Sequence, residues 1–246
     1  MDNPVKSPVR RTRIQKLIGE RMLKSKQSKP CFYIELKADV TELMGLRPKL
    51  KKQKGVKITT NAFYIRALAL AVKKYPLMVG TLDNGSSPSE RRASEGRDGA
   101  PGGNIRIAEA INVGFAVDAP QGLVVPVIKT ADRKTLAGIA RLERLLTEKA
   151  RSNKLTLEEM EGETIALSNL GAYGIDSFFG IVPPPTSTIL AVGNVIKTAI
   201  PKEGKVVTRK VVSLALAVDR RIADEVYAAK FLTFIKEQLQ NPQQLV

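Results

Sequence analysis

One helix-forming segment constrains the fold more than any other feature of the sequence. Asn61–Lys74 (NAFYIRALALAVKK) consists of good helix formers and is apolar around most of its circumference. A helix of this kind is buried on more than one side, so the rest of the chain must supply packing layers around it. A hydrophobic content of 43% in 246 residues is enough for one sizeable core. We therefore expect a folded globular chain and exclude disorder of the whole chain.

Apolar patterns on either side of this helix predict several strands and helices. Alternating or continuous apolar residues predict strands at Phe32–Val40, Ile111–Val117, Leu123–Ile128, Thr164–Leu170, Thr188–Val195 and Val206–Asp219. Apolar residues at helical spacing predict helices over residues 11–25, Val40–Lys54, Leu136–Ala150 and Ala228–Leu239. Thr156 with Glu159 has the spacing of a capping box before a further short helix. Pro126 lies inside one predicted strand and favours an edge or a bulge there. The fold class is α/β, of the α+β type.

Two stretches have compositions that do not pack into a core. Residues 1–10 include two prolines and predict an extended N-terminal arm. Residues 83–104 hold five Gly, four Ser and two Pro among charged residues and predict a flexible surface loop. The segments that flank this loop look like consecutive strands of one sheet, so we do not place a domain boundary there. We expect a single core domain over residues 11–246.

Compartment signals are few. The longest apolar runs fall far short of the roughly 20 residues of a membrane-spanning helix, and the basic N-terminal residues lack the apolar stretch of a secretory signal. The single cysteine, Cys31, excludes an internal disulfide framework and fits a reducing compartment. We therefore expect a cytoplasmic protein without a membrane partner.

The sequence contains no histidine. Imidazole is the only side chain whose unperturbed pKa lies near neutral pH. Its absence excludes a Ser-His-Asp triad, a Cys-His pair and a His-ligated zinc, and one cysteine cannot form a thiolate cluster, so we expect no metal. Any catalysis must use carboxylates, lysines, tyrosines, hydroxyls or Cys31.

The chain is strongly basic, with 40 Lys+Arg against 24 Asp+Glu and a formal net charge of +16. This excess suits an anionic ligand, an acidic partner or a nucleic acid. However, the sequence has no recognisable nucleic-acid motif and no Trp, and its few aromatic residues mostly lie in apolar helices and strands. Nucleic acid is thus a disfavoured partner, and a basic anion- or nucleic-acid-binding module stays an alternative function.

Five segments together point to one family. They are RTRIQKLIGERML, VTELMGLRPKLKK, INVGFAVDAPQGLVVPVIKTADRKTLAGIA, LEEMEGETIALSNLGAYG and VVSLALAVDRRIADEVYAAKFL. In order and spacing, from about Arg11 to Leu239, they resemble the catalytic core domain of the E2 component of 2-oxo acid dehydrogenase complexes, the dihydrolipoamide acyltransferases. The resemblance implies a chloramphenicol-acetyltransferase-like mixed-sheet sandwich that forms trimers with the active site between subunits. In this family the trimers often assemble further into cages.

The resemblance also implies a reaction and its residues. In the family an acyl group moves between the thiol of a dihydrolipoyl arm and the thiol of coenzyme A. The histidine of a D-H-R-x-x-D-G motif is the base, and a hydroxyl on the S-x-L-G strand of the neighbouring subunit hydrogen-bonds the oxyanion. Ser168 stands at the hydroxyl position, and Asp224 matches the aspartate that holds the site in shape. Arg220 stands where the histidine belongs, and Glu225 replaces the glycine.

These two departures change the expected function. Arginine stays protonated, with a pKa above about 12, so it cannot accept a thiol proton. Loss of a general base typically costs about 10²–10⁴-fold in rate. Our main hypothesis is an E2-like scaffold or accessory subunit with impaired catalysis, in which Arg220, Asp224 and Glu225 form a local ion pair. The alternative is an active acyltransferase whose base is Cys31, Glu225 or another carboxylate.

Ligands and partners follow from the same resemblance. Coenzyme A is a candidate ligand, and a lipoyl group would come from another chain or from a domain outside this sequence, which contains no lipoyl or subunit-binding domain. The expected partners are further copies of the chain, as a homotrimer or a larger cage, and other subunits of a 2-oxo acid dehydrogenase complex. In a eukaryote the expected location is the mitochondrial matrix.

Overall fold

The computed structural model describes residues 10–11, 13–83, 104–202 and 204–246. The predicted arm, residues 1–10, lies outside this part of the chain except for its last residue. The predicted flexible loop, residues 83–104, lies outside it except for its two end residues.

A six-stranded mixed sheet organises the described chain. Across the sheet the strands are β1 (Cys31–Asp39), β10 (Lys205–Asp219), β9 (Thr188–Lys202), β8 (Ile165–Asn169), β4 (Val113–Phe115) and β7 (Val127–Ile128). Strand β8 runs parallel to both of its neighbours, and the other pairs are antiparallel. Two short hairpins lie outside this sheet, β2 (Gly80–Asp83) with β3 (Asn104–Ile107) and β5 (Val117–Ala119) with β6 (Gly122–Val124). The mixed sheet confirms the predicted fold class.

Five α-helices accompany the sheet within the described residues: α1 (Arg13–Ser28), α2 (Thr41–Lys54), α3 (Thr60–Lys74), α4 (Leu136–Arg151) and α5 (Glu225–Gln240). Three of them begin at side-chain caps, because Thr59, Thr135 and Asp224 each accept a hydrogen bond from a backbone N–H three residues later. Helix α3 buries nine of its 15 residues and packs against both α4 and α5. Its burial on several sides is confirmed. None of the described helices combines the length and apolar content that crossing a membrane requires.

The two faces of the sheet are covered differently. One face carries the large apolar side chains of β10, such as Leu214 and Leu216, and these join the main core with the helices. On the other face, Ala166, Val182, Ile189 and Ala217 form a small separate cluster against which Cys31 packs. Helix α1 belongs to this second face, where its Arg21 and Ser25 side chains donate hydrogen bonds to the carbonyls of residues 184 and 182. Lys29, which follows the helix, donates to the carbonyl of residue 186.

The predicted strands between residues 111 and 128 are wrong in extent. The segment Ile111–Val117 divides into β4, which stays in the main sheet, and the start of β5, which pairs only with β6. The segment Leu123–Ile128 divides at Pro126, which has no N–H to donate, and the following β7 is the edge strand that a proline favours.

The predicted capping box forms. Glu159 N–H donates to Thr156 Oγ1 at 3.3 Å, and Thr156 N–H donates to the Glu159 carboxylate at 3.0 Å. It opens only a single 3₁₀ turn, Glu158–Met160, and not a longer helix.

Candidate functional site

The turn from β10 into α5 carries the first group of candidate residues. Asp219 is the last residue of β10, lies opposite Cys31 of β1, and is 2% exposed. Its carboxylate accepts two hydrogen bonds from the Arg221 guanidinium, at 2.9 and 2.6 Å, and one from the Arg221 backbone N–H at 3.1 Å. This bidentate pair raises the pKa of Arg221 and fixes the direction of the chain as it leaves the sheet.

Arg220 occupies the next position and faces solvent. Its backbone N–H donates to the Pro30 carbonyl at 3.0 Å, which ties the turn to the start of β1. Its Nε donates to Glu225 Oε1 at 2.8 Å, and the two side chains are 53% and 55% exposed. The predicted ion pair is thus present between Arg220 and Glu225.

Asp224 does not join that ion pair. It is the N-cap of α5, and its Oδ1 accepts the Tyr227 backbone N–H at 2.7 Å. A carboxylate at this position also interacts favourably with the positive end of the helix dipole. The contact therefore explains how Asp224 sets the start of α5, immediately after the Arg220 turn.

Ser168 lies on β8 and lines a cavity of about 560 Å³ on the second face of the sheet. Most of the wall is apolar, with Leu123, Leu155 and Ile181 among its members. Such a cavity, with few polar groups in an apolar wall, is typical of a site for an organic ligand.

The cavity also has a charged group and a helical wall. Glu163 lines it, and burial raises the pKa of this carboxyl. Helix α1 contributes Ile18, Arg21 and Met22, and Arg21 is held there by a hydrogen bond from its guanidinium to the Pro184 carbonyl at 3.1 Å. The amphipathic pattern of α1 predicts a packed apolar face, but Ile18 and Met22 are only half-buried and Leu17 is 54% exposed. The pattern gave no indication that this helix lines a cavity.

Ser168 and Arg220 of one chain lie far apart. Ser168 pairs in register with Ala191 of β9, and Ala191 pairs in register with Ala215 of β10. Ser168 is therefore two strands away from β10. Arg220 follows Ala215 by five residues. With strands about 4.8 Å apart and a rise of about 3.4 Å per residue, the two backbones are separated by about 10 Å across the sheet and about 17 Å along it. The structure does not bring these two predicted site residues together within one chain.

Cys31 is half-buried at the start of β1. Burial is the main cause that raises the pKa of its thiol, and the neighbouring Asp219 carboxylate raises it further. A raised pKa lowers the thiolate fraction at neutral pH, and with it the reactivity of the sulfur. Lys29 lies close by, where burial lowers the pKa of its amine, and it donates to the Thr186 carbonyl. Among the residues that the structure describes, no three His, Cys, Asp or Glu side chains are grouped as a metal site would need.

Comparison with known proteins agrees with this architecture. The sequence model of the 2-oxoacid dehydrogenases acyltransferase (catalytic domain) matches residues 4–246. The chain is 34% identical over 233 residues to the dihydrolipoyllysine-residue acetyltransferase component of the pyruvate dehydrogenase complex of Rickettsia conorii, covering 93% of this chain and 52% of that protein. It thus spans about half the length of the curated relatives it matches.

Solved structures give the same result. The dihydrolipoamide acetyltransferase of Azotobacter vinelandii, studied for the roles of a serine, a histidine and an asparagine in its catalytic mechanism, superposes with a TM-score of 0.85 at 29% identity, over 98% of this chain and 94% of that one. The same values hold for the cubic core of a pyruvate dehydrogenase multienzyme complex. A chloramphenicol acetyltransferase shares the fold alone, with a TM-score of 0.51 at 14% identity, over 89% of this chain and 94% of that one. The chain belongs to the family of 2-oxoacid dehydrogenase acyltransferase catalytic domains, the E2 cores.

Proposed function

We propose that this E2 core is a self-associating scaffold or accessory subunit of a 2-oxo acid dehydrogenase complex, and that it is impaired in acyl transfer. The observation that carries the proposal is the Arg220–Glu225 ion pair at the position of the family's catalytic histidine. The chain spans about half the length of its curated relatives. The substrates and partners given below are therefore part of the proposal.

Residue spacing supports the correspondence. In the Azotobacter protein the histidine follows the serine by 52 positions and precedes the asparagine by four. In this chain Arg220 follows Ser168 by 52 positions and precedes Asp224 by four. Both intervals agree although the two sequences are only 29% identical. We therefore assign Arg220 to the position of the base and Ser168 to the position of the hydroxyl.

The chemistry of acyl transfer explains the expected impairment. The attacking thiol, with a pKa of about 8.5, must lose its proton as it attacks the thioester, and a base near neutral pKa does this best. Arg220 is a permanent cation and cannot take that proton. It can only stabilise a thiolate that has formed already. Ser168 could still donate a hydrogen bond to the developing oxyanion.

Two of the alternative bases, Cys31 and Glu225, are poorly suited to replace the histidine. The pKa of the Cys31 thiol is raised, so this residue is mostly protonated. Glu225 has its carboxylate engaged by Arg220. An active enzyme with either residue as its base therefore receives no support from the geometry.

The distance between Ser168 and Arg220 supports self-association. A site that uses both residues needs them from two copies of the chain. The cubic core among the structural relatives is an assembly of this kind of domain. Coenzyme A, and a lipoyl group from another chain or domain, are the ligands that we propose for the shared cleft. The cytoplasm, or the mitochondrial matrix of a eukaryote, stays our predicted location.

Two measurements test the proposal. Acetyl transfer from acetyl-coenzyme A to dihydrolipoamide should be at least about 100-fold slower than in an E2 core that has the histidine, because a general base is missing. Light scattering should give a trimer or a multiple of one. A transfer rate within tenfold of the reference core would refute the impairment, and a monomer would refute the scaffold role.

A further inference from the structure

A series of hydrogen-bonded polar side chains connects α4 to the turn that follows β8. Glu143 lies on the buried side of α4, 7% exposed, and accepts hydrogen bonds from the Thr59 hydroxyl and the Asn61 amide. Asn61 Oδ1 accepts from Asn169 Nδ2 at 3.0 Å. Asn169 Oδ1 then accepts from the Gly171 backbone N–H at 2.9 Å. The series links residues that are distant in the sequence and ends at the turn.

The two ends of the series fix the direction of every bond in it. A backbone N–H can only donate, and an ionised carboxylate can only accept. Asn169 must therefore turn its oxygen to Gly171 and its NH₂ to Asn61, and Asn61 must turn its NH₂ to Glu143. If the carboxylate is removed, the Asn61 amide loses its acceptor, and both amides lose the constraint that orients them.

The turn leaves little room for movement. A Cβ on Gly171 would lie 2.4 Å from the Gly193 carbonyl oxygen, so the backbone passes directly against β9. The Leu170 N–H donates to the Val192 carbonyl at 3.1 Å on the same side. Ser168 immediately precedes this turn, and the path of the turn sets the end of the strand that presents its hydroxyl to the cavity.

We infer that Glu143 is a positioning residue for the Ser168 strand end, and that it acts through Asn61 and Asn169. It touches neither the cavity nor Ser168, and its effect is to hold the turn that follows the serine. The catalytic meaning of this role rests on the proposed function of Ser168. The anchoring itself can be measured without any turnover, so it can fail or hold independently of acyl transfer.

Hydrogen–deuterium exchange of the whole protein tests the inference. Glu143→Leu removes both acceptor oxygens but fits the apolar spacing of its helix. Amide exchange in the turn, residues 169–174, should become about tenfold faster. This factor is what the loss of one hydrogen bond's net contribution to local stability would produce. Exchange in the core strand, residues 211–218, should not change. Glu143→Gln keeps one oxygen for Asn61 and should stay within about threefold of the unmodified chain in the turn.

Two controls separate anchoring from general destabilisation. Glu148→Leu changes an exposed residue of the same helix and should leave the turn unchanged. In an Asn169→Ala background the turn is already disconnected, so adding Glu143→Leu should not accelerate its exchange further. If Glu143→Leu does not fold, Asn61→Ala interrupts the same series and must give the same local acceleration.

Three results would overturn the inference. The first is a turn that stays protected in Glu143→Leu, or in Asn61→Ala where that variant replaces it. The second is equal acceleration in the turn and in the core strand. The third is additive acceleration in the double variant.

Discussion

The Arg220 Nε lies 2.8 Å from Glu225 Oε1 at the point where β10 passes into α5. The two residues that we assign to the histidine and glycine positions of the family motif therefore contact each other. Neither side chain is buried, and the backbone around them is fixed by other groups, Asp219 with Arg221 on one side and the Asp224 cap on the other. The backbone on both sides of Arg220 is thus held by contacts that do not involve the Arg220–Glu225 pair.

An exposed ion pair of this kind contributes little to stability. We expect Arg220→Ala to change the free energy of unfolding by less than about 1 kcal/mol. Arg221→Ala is the matched comparison, because it leaves the buried Asp219 carboxylate without its guanidinium, and it should cost about 3 kcal/mol. Urea unfolding of the three proteins measures both values. Equal losses in the two variants would contradict this division of roles.

The N-cap of α5, Asp224, should contribute measurably to the free energy of unfolding. Asp224→Ala removes the acceptor for the Tyr227 N–H and should cost about 1 kcal/mol of the free energy of unfolding. Asp224→Asn keeps an acceptor at the same place and should recover most of it. Thermal unfolding followed by circular dichroism checks the order of the three proteins. Equal losses in Asp224→Asn and Asp224→Ala would show that the negative charge, and not the side-chain acceptor, stabilises the start of α5.

Close approach of two segments makes one glycine indispensable. A Cβ on Gly193 would lie 1.9 Å from the Asp176 carbonyl oxygen, and backbone atoms cannot yield as a flexible side chain can. Gly193→Ala should therefore cost more than about 3 kcal/mol or prevent folding. Gly19→Ala on α1 has open space around its Cβ and should be neutral or stabilising, by up to about 1 kcal/mol. Soluble yield and urea midpoints compare the two, and a stable Gly193→Ala protein would contradict the described packing.

Glu143 should leave a signature in the pH dependence of stability. Burial raises the pKa of this carboxyl above 4.5, so the folded chain binds its proton more tightly than the unfolded chain. Its contribution is then fully present below the unfolded pKa and is lost as pH rises through the folded pKa. The free energy of unfolding of the unmodified chain, minus that of Glu143→Gln, should increase as pH falls from 7 toward 4.5. Glu148→Gln is the control, and the same trend in both variants would refute the assignment.

Local patterns were sufficient to predict most elements of the fold. The all-round apolar segment became the buried α3, and the long apolar strand became β10. The segments between residues 111 and 128 were misread, because the same apolar residues suit either the main sheet or a small hairpin. Contacts with β8 and α4, which are distant in the sequence, decide which partner each strand pairs with. A local sequence pattern contains no information about these contacts.

The site was only partly accessible from the sequence. Arg220 and Glu225 are five residues apart around a turn, so their contact followed from local geometry. The separation of Ser168 from Arg220 depends on strand order and could not be read along the chain. Glu143 did leave a signal, since it occupies a position between Ile139 and Leu146 that helical spacing places on the buried side of α4.

We propose that a guanidinium, that of Arg220, stands where the family has the group that removes the thiol proton. Restoring the motif with Arg220→His and Glu225→Gly tests it, with Arg220→Gln and Glu225→Gly as a control that has no base. Acetyl transfer from acetyl-coenzyme A to dihydrolipoamide is the most direct measurement. We expect the transfer rate of the histidine variant to exceed that of both the unmodified chain and the control by at least about 100-fold. An unmodified chain that already transfers acetyl groups within tenfold of the histidine variant would contradict it.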